Sequence, residues 1–355
     1  MVLKLWKDVH TICLPVKVVI GRGVSNDLGT IISAQIAGSE VALLTGPNLK
    51  TKLLDPILES LTVAGFKPFI EIVNSPSLAE VERIYHSFMN RNLSPSAVIG
   101  VGGGKVLDVG KVIAYRINTN FISVPTSASH DGIASPQASL KGLSGAHSVR
   151  VKTPYMIIAD SEVIASSPKS LTLSGIGDVL AKLSSTLDSR LAQSMGEYVG
   201  EYSISLAEMS AKLVFENLDS IVSMDDHGIR TLLEALISNG IAMAIAGSSR
   251  PCSGSEHMFG HALDYLTSSK LLHGFSVALG TKVSLALHGQ DWRTFDQRVH
   301  EIGIPMNAKS LGIPPIYLIR ALSFAHKIRP ERKTILGNGI SYINAKKILE
   351  EVKAI

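Results

Sequence analysis

Ser96-Ala-Val-Ile-Gly-Val-Gly-Gly-Gly-Lys-Val-Leu-Asp-Val-Gly-Lys111 reads as a buried strand, a glycine turn and the start of a helix. Gly102, Gly103 and Gly104 permit backbone conformations closed to other residues. They also let a phosphate approach main-chain N–H groups at the positive end of the following helix. The run departs from the Gly-x-Gly-x-x-Gly fingerprint, because Lys105 stands where the third glycine would be. It is not a Walker loop either, since Val106 and not Ser or Thr follows Lys105. A tight strand-to-helix connection that binds nothing would use the same glycines, so the surroundings decide.

Outward from this turn, strand candidates at 16–20, 41–45, 68–73, 97–101, 120–124 and 155–159 alternate with amphipathic stretches such as 48–64 and 78–92. That alternation predicts an α/β, Rossmann-like domain with a mostly parallel sheet. The strand at 120–124 runs into Ser123-Val-Pro-Thr-Ser-Ala-Ser-His-Asp-Gly132, whose small hydroxyls suit a pyrophosphate and nicotinamide ribose or, equally, local turn caps. From about Leu171 the pattern changes to long stretches at three- and four-residue apolar spacing: 174–192, 198–217, 228–246 and 345–353. We expect an α/β dinucleotide-binding domain over 1–165 and an all-α, metal- and substrate-binding domain over 166–355, with the crevice between them as the place for cofactor and substrate.

The chain's 355 residues, 45% of them hydrophobic, bury sizeable cores. Lysines and arginines number 34 against 30 acidic residues, dispersed without a basic strip, which disfavours nucleic acid as a partner. Cys13 and Cys252 form neither a disulfide framework nor a Cys-x-x-Cys pair. There is no signal-peptide core and no run of about 18 apolar residues, so a cytoplasmic protein without a transmembrane segment is expected.

Asp178, His257 and His273 are the residue types that hold a catalytic metal with one position left open. Asp178 follows two glycines and is expected in the first turn of a helix, where an acidic residue also serves as a dipole partner. His257 and His261 lie four apart and share a helix face, and His273 begins another helix. Buried structural histidines would show the same spacing. Met258 occupies the position of the catalytic glutamate of zinc proteases, so a peptidase would lack its base.

Gly-Gly-Gly-Lys-Val-Leu-Asp108, the 123–135 block, Gly-Ile-Gly-Asp178, Ser-Ser-Arg-Pro-Cys-Ser-Gly-Ser-Glu-His257 and Leu-His-Gly274 occur in that order. Together they resemble the superfamily of glycerol dehydrogenases, iron-type alcohol dehydrogenases and dehydroquinate synthases, with the closest likeness to the archaeal sn-glycerol-1-phosphate dehydrogenases. The resemblance covers nearly the whole chain. It implies a dehydroquinate synthase-like fold and a zinc ion on Asp178, His257 and His273. It also implies that His261 points toward substrate and cofactor, that Asp131 lies near the substrate, and that NAD(H) or NADP(H) is held by Gly103, Gly104, Lys105, Val106, Leu107 and Asp108, by Thr126, Ser127, Ala128 and Ser129, and by Ser135. Iron-type relatives carry a histidine four residues after the metal-binding aspartate; Lys182 stands there, favouring zinc.

The reaction so implied is reduction of dihydroxyacetone phosphate to sn-glycerol 1-phosphate, as in archaeal membrane-lipid synthesis. Zinc would act as Lewis acid, His261, alone or through a relayed water, as proton donor, and Asp131 would orient a substrate hydroxyl. Arg250, Lys141 and His130 are candidates for the substrate phosphate. Asn48, uncharged at the end of the second strand, and Lys52 beyond it predict use of both NADH and NADPH. A homo-oligomer is expected. A dehydrogenase of unphosphorylated polyols would use the same chemistry; a dehydroquinate synthase-type lyase usually shows glutamate in place of Asp178. A non-catalytic binding protein sits poorly with a full set of metal ligands.

Overall fold

The computed structural model describes residues 10–49, 51–142, 148–267 and 271–355, residues 51 and 52 by their backbone alone. Six strands form the main sheet: β1 (Lys17–Gly21), β2 (Glu40–Thr45), β3 (Lys67–Ile72), β4 (Ala97–Gly102), β5 (Asn120–Pro125) and β6 (Met156–Asp160). Their order is β1-β6-β5-β4-β2-β3, and every neighbouring pair is parallel. All six expected strands are present, each boundary within one residue of its expected place.

The central strands read as unbroken apolar runs because both faces of the sheet are covered. Successive residues serve opposite cores: Val41 and Leu43 meet Leu28, Ile32, Ile57 and Leu61 on one side. Ala42 and Leu44 face the other side, with Val81, Phe88 and Leu107. This second core continues without a break into the helical half, through Ile176, Leu232, Phe259 and Leu279. The chain passes outward from β2 to β3, then back across to β4. The winding therefore reverses between β2 and β4, and the glycine turn after β4 stands at the carboxyl end of the strands where such a reversal opens a crevice.

The helical half is built around Lys169–Leu180, Lys182–Ser194, Glu201–Glu216, Asp226–Ala246, Ser255–Thr267 and His273–Leu287. Two expectations need correction. The stretch 174–192 is not one helix but parts of two, meeting at Ala181, where the Asp178 carbonyl accepts a hydrogen bond from the Lys182 ammonium (2.6 Å). Asp178 consequently lies in the last turn of Lys169–Leu180, not in a first turn, and the helix dipole does not stabilise its charge. Gly175 and Gly177 do not precede the helix. They lie inside it because other segments press against it there.

Asp226–Ala246 is long and apolar enough, by length and composition, to cross a bilayer. Here most of its apolar window is buried, with Gly240 against the Ala134 backbone.

Candidate metal and dinucleotide site

The turn after β4 is compact. Gly103 caps the helix Gly104–Arg116 in extended conformation, and none of Gly102, Gly103 and Gly104 has positive φ. Space, not handedness, is what two of these glycines supply. A Cβ on Gly102 would lie 2.7 Å from Val106 Cγ2, and one on Gly104 would lie 1.9 Å from His130 Nε2. The first N–H groups of the helix have no intrahelical acceptors, as at every helix start. Val106 and Leu107 turn their side chains into the core, while Lys105 is exposed. Asp108 is engaged structurally: it pairs with Lys111 (3.0 Å) and accepts from the Ser139 N–H (3.1 Å).

Beside it, Thr126 N–H donates to the Gly102 carbonyl (3.1 Å). The 127–129 segment lies directly on the helix Lys169–Leu180. A Cβ on Gly175 would come 1.9 Å from the Ala128 carbonyl oxygen, and Ser174 Oγ donates to the Ser129 carbonyl (3.1 Å).

Glycine contacts of the same kind assemble the candidate metal donors. A Cβ on Gly274 would sit 1.8 Å from the Ser174 oxygen, one on Gly177 2.3 Å from the Gly274 oxygen, and one on Gly280 2.5 Å from the Glu256 oxygen. Helix His273–Leu287 thus crosses both Lys169–Leu180 and Ser255–Thr267 with backbones nearly touching. Asp178, His257 and His273 meet at these crossings, one donor atom from each lying within 4.8 Å of the others. Asp178 Oδ1 and His257 Nε2 are 3.5 Å apart. A tetrahedral zinc with bonds of about 2.0–2.1 Å spaces its ligands about 3.3 Å apart, so the pair fits such an ion closely.

Neighbouring groups set the hydrogen bonding and charge of these donors. His257 Nδ1 binds Glu256 Oε1 (2.7 Å), which leaves Nε2 toward Asp178. Glu256 is itself held by the Gly254 N–H (2.7 Å) and Ser184 Oγ (3.0 Å). Burial and the adjacent His257 push His273 down to about 3, which keeps its imidazole neutral and able to ligate. Burial works against the charge on Asp178, yet Lys182 and His257 outweigh it and hold the carboxyl well below its ordinary range. Lys182 is wholly buried, 2.9 Å from Asp178 Oδ1 and 2.9 Å from Asp131 Oδ2. Burial opposes its charge, but Asp131 and Asp178 prevail and raise its pKa. The Asp131 N–H donates to Asp178 Oδ2 (2.7 Å), closing the network.

Two curated relatives match along nearly their whole length. The glycerol-1-phosphate dehydrogenase [NAD(P)+] of Metallosphaera sedula is 44% identical over 349 residues, covering 98% of each chain. That of Hyperthermus butylicus is 46% identical over 345 residues, covering 96% of this chain and 97% of its own. The chain belongs to the glycerol-1-phosphate dehydrogenase family. Residues 19–168 also match the broader iron-containing alcohol dehydrogenase family. The crystal structure of glycerol dehydrogenase from Schizosaccharomyces pombe superposes with a TM-score of 0.79 at 22% identity, over 98% of this chain and 90% of that one. NADH-dependent butanol dehydrogenase A from Thermotoga maritima gives 0.75 at 19% identity, over 98% and 99%. Both share the fold.

In this member of the glycerol-1-phosphate dehydrogenase family, a cavity of about 430 Å³ joins the two halves. Asp108, His130, Asp131 and Ser135 line it from the sheet side, and His257, His261, Asp264 and His273 from the helical side. Lys141 is on its wall, but Arg250 is not: that guanidinium is spent on Glu197 (2.7 Å) and the Lys333 carbonyl (2.9 Å). Asn48 is exposed beyond β2, and the Lys52 side chain lies outside the described residues.

The sequence reading missed Glu256 as the partner of His257, Lys182 as the bridge between two aspartates, and Asp264. Asp264 was within reach of the helical period, since 257, 261 and 264 share one face. Burial raises its carboxyl to about 7. With His261 and His273 it makes a second group whose donor atoms also lie within 4.8 Å of one another.

Proposed function

We propose that this protein reduces dihydroxyacetone phosphate to sn-glycerol 1-phosphate, using NADH or NADPH and a zinc ion on Asp178, His257 and His273. The meeting of those three donors, with His257, His261 and His273 on the wall of one cavity and a glycine turn suited to phosphate behind His130, supports this reading most directly. When bound, the zinc would draw charge from a carbonyl oxygen and the reduced nicotinamide would supply the hydride.

The chain's own residues then have separable tasks. The main chain of residues 103–108, residues 126–129 and Ser135 would hold the dinucleotide, with the helix N-terminus toward its phosphates. His261, on the cavity wall one helical turn from His257, would deliver the proton at the substrate oxygen. Asp131, fixed by its N–H on Asp178 and its carboxylate on Lys182, would orient a substrate hydroxyl. Lys182 supplies a buried positive charge where iron-type relatives offer a further ligand, and so favours zinc. Regions 1–165 and 166–355 would act as the dinucleotide and the metal-substrate halves.

The test is oxidation of NADH and NADPH with dihydroxyacetone phosphate against dihydroxyacetone, followed by chiral analysis of the product. The reading expects strong preference for the phosphorylated ketone, use of both nucleotides, and the 1-phosphate enantiomer. Equal or better turnover of dihydroxyacetone would replace it with an unphosphorylated polyol dehydrogenase.

A further inference from the structure

The cavity has a second end that the metal and glycine turn do not use. Arg329 lines it, together with Ser148, Ser249 and Ser253. Arg329 Nη2 donates to Ser148 Oγ (3.0 Å). Arg332 stands behind, donating to the Ser253 carbonyl (2.6 Å) and to Ser249 Oγ (2.6 Å). Among the described residues, neither guanidinium has a carboxylate within 4.0 Å, unlike Arg250, which has Glu197. Burial pulls Arg329 below its usual range, and burial with the charges of Arg329 and Arg250 brings Arg332 down to about 9. Glu331 acts on both and Glu256 on Arg332, each from beyond 4.0 Å and without offsetting burial; two adjacent, largely enclosed cations with no carboxylate in contact are costly unless an anion completes them.

We propose that Arg329, backed by Arg332, is the anchor for the phosphate group of the substrate, which rests on the reading of a phosphorylated ketone as substrate. A phosphate presents three oxygens, and the planar fork of Arg329 can bind two of them at once while Ser148 holds the fork in place. Arg332 sets the shape of the wall through Ser249 and Ser253 and adds charge. The anchor explains how a fold shared with glycerol dehydrogenase would here select a phosphorylated substrate. Lys141 stands exposed on the same cavity and serves as an outer cation.

The same chemistry could serve a phosphate of the dinucleotide, and the experiment separates the two. KM is measured for dihydroxyacetone phosphate, NADH and NADPH in the zinc-loaded enzyme and in Arg329→Met and Arg329→Lys, with inorganic phosphate as a competing probe. The anchor predicts that Arg329→Met raises KM for dihydroxyacetone phosphate about 10²-fold and leaves KM for both nucleotides within about twofold. Arg329→Lys, which keeps the charge but not the fork, should fall between. Inorganic phosphate should compete with the ketone in the parent enzyme and lose that potency in Arg329→Met. Should Arg329→Met not fold, Arg329→Lys carries the comparison with a shift of about 10-fold.

An unchanged KM for the ketone in the variants, or a rise confined to NADPH, would overturn the anchor. If the parent enzyme itself does not discriminate dihydroxyacetone phosphate from dihydroxyacetone, the proposed function has failed. If it does discriminate and the variants discriminate equally, only the anchor has failed.

Discussion

The turn after β4 lies against His130, on the wall of the cavity that His257 and His273 also line, yet the turn and the cluster around Asp178 are built by different means. At the turn, one contiguous stretch supplies the main-chain N–H groups of a helix start, while Val106 and Leu107 serve the core, Asp108 braces Lys111 and the Ser139 N–H, and Lys105 is exposed. At the cluster, side chains from three separate helices meet, and a buried web of Lys182, Asp131, Glu256 and Ser184 holds them in register. A site made of backbone follows once the strand and helix form. A site made of side chains requires long-range packing to be right first.

This contrast predicts a division of labour among variants. His273→Ala should cut turnover on the order of 10³-fold, since it removes one of three ligands, while dinucleotide affinity measured by fluorescence titration stays within about threefold. A comparable loss of dinucleotide binding would mean the two sites are not independent.

Glu256→Gln should leave the histidine cluster in place but weaken zinc affinity about 10- to 100-fold, because His257 exchanges the charged carboxylate that fixes its ring for a neutral amide acceptor. Competition with a chelator measures it, and parent-like affinity would show that the Glu256 contact is incidental.

Gly274→Ala forces a Cβ to 1.8 Å from the Ser174 oxygen, whereas Gly103→Ala meets only Ser127 Oγ, at 3.5 Å. The first should cost about 1–3 kcal/mol of stability and weaken metal binding; the second should leave unfolding unchanged within about 0.5 kcal/mol. Denaturant melts of both proteins give the comparison, and equal losses would erase it.

A smaller effect is expected away from the cavity, at Glu80, which accepts from Arg83 (3.0 Å) and the Asn74 N–H (2.9 Å). Burial works against its charge, but Arg83 and Asn74 hold its pKa below the ordinary 4.5. A carboxylate lowered in this way contributes stability above its unfolded pKa and loses it as pH falls through the folded value. Glu80→Gln should therefore cost up to about 1 kcal/mol near pH 7, with the deficit closing as the pH drops below about 4.5. A deficit that does not change with pH would assign the effect to packing.

The same contrast explains what could be read in the sequence. The six strands were legible because Val41, Ala42, Leu43 and Leu44 are all buried, on alternating faces, and a run of that kind has few other uses. The three donors of the candidate metal group were legible as residue types. Their helical setting was not: the role of Gly177 depends on Gly274, almost a hundred positions away, so its place inside a helix looked like a place before one. Glu256 adjoins His257 in sequence, but nothing local says that its side chain turns back to the ring. Arg329 reaches Ser148 across 181 positions, a contact that no period announces.

The account rests on where the cation sits. Crystals of the zinc-loaded protein, measured at wavelengths on both sides of the zinc absorption edge, locate it directly. A single anomalous peak bounded by Asp178 Oδ1, His257 Nε2 and His273 is the predicted result; a peak held instead by His261, Asp264 and His273, with Asp178 left to Lys182 alone, would contradict it.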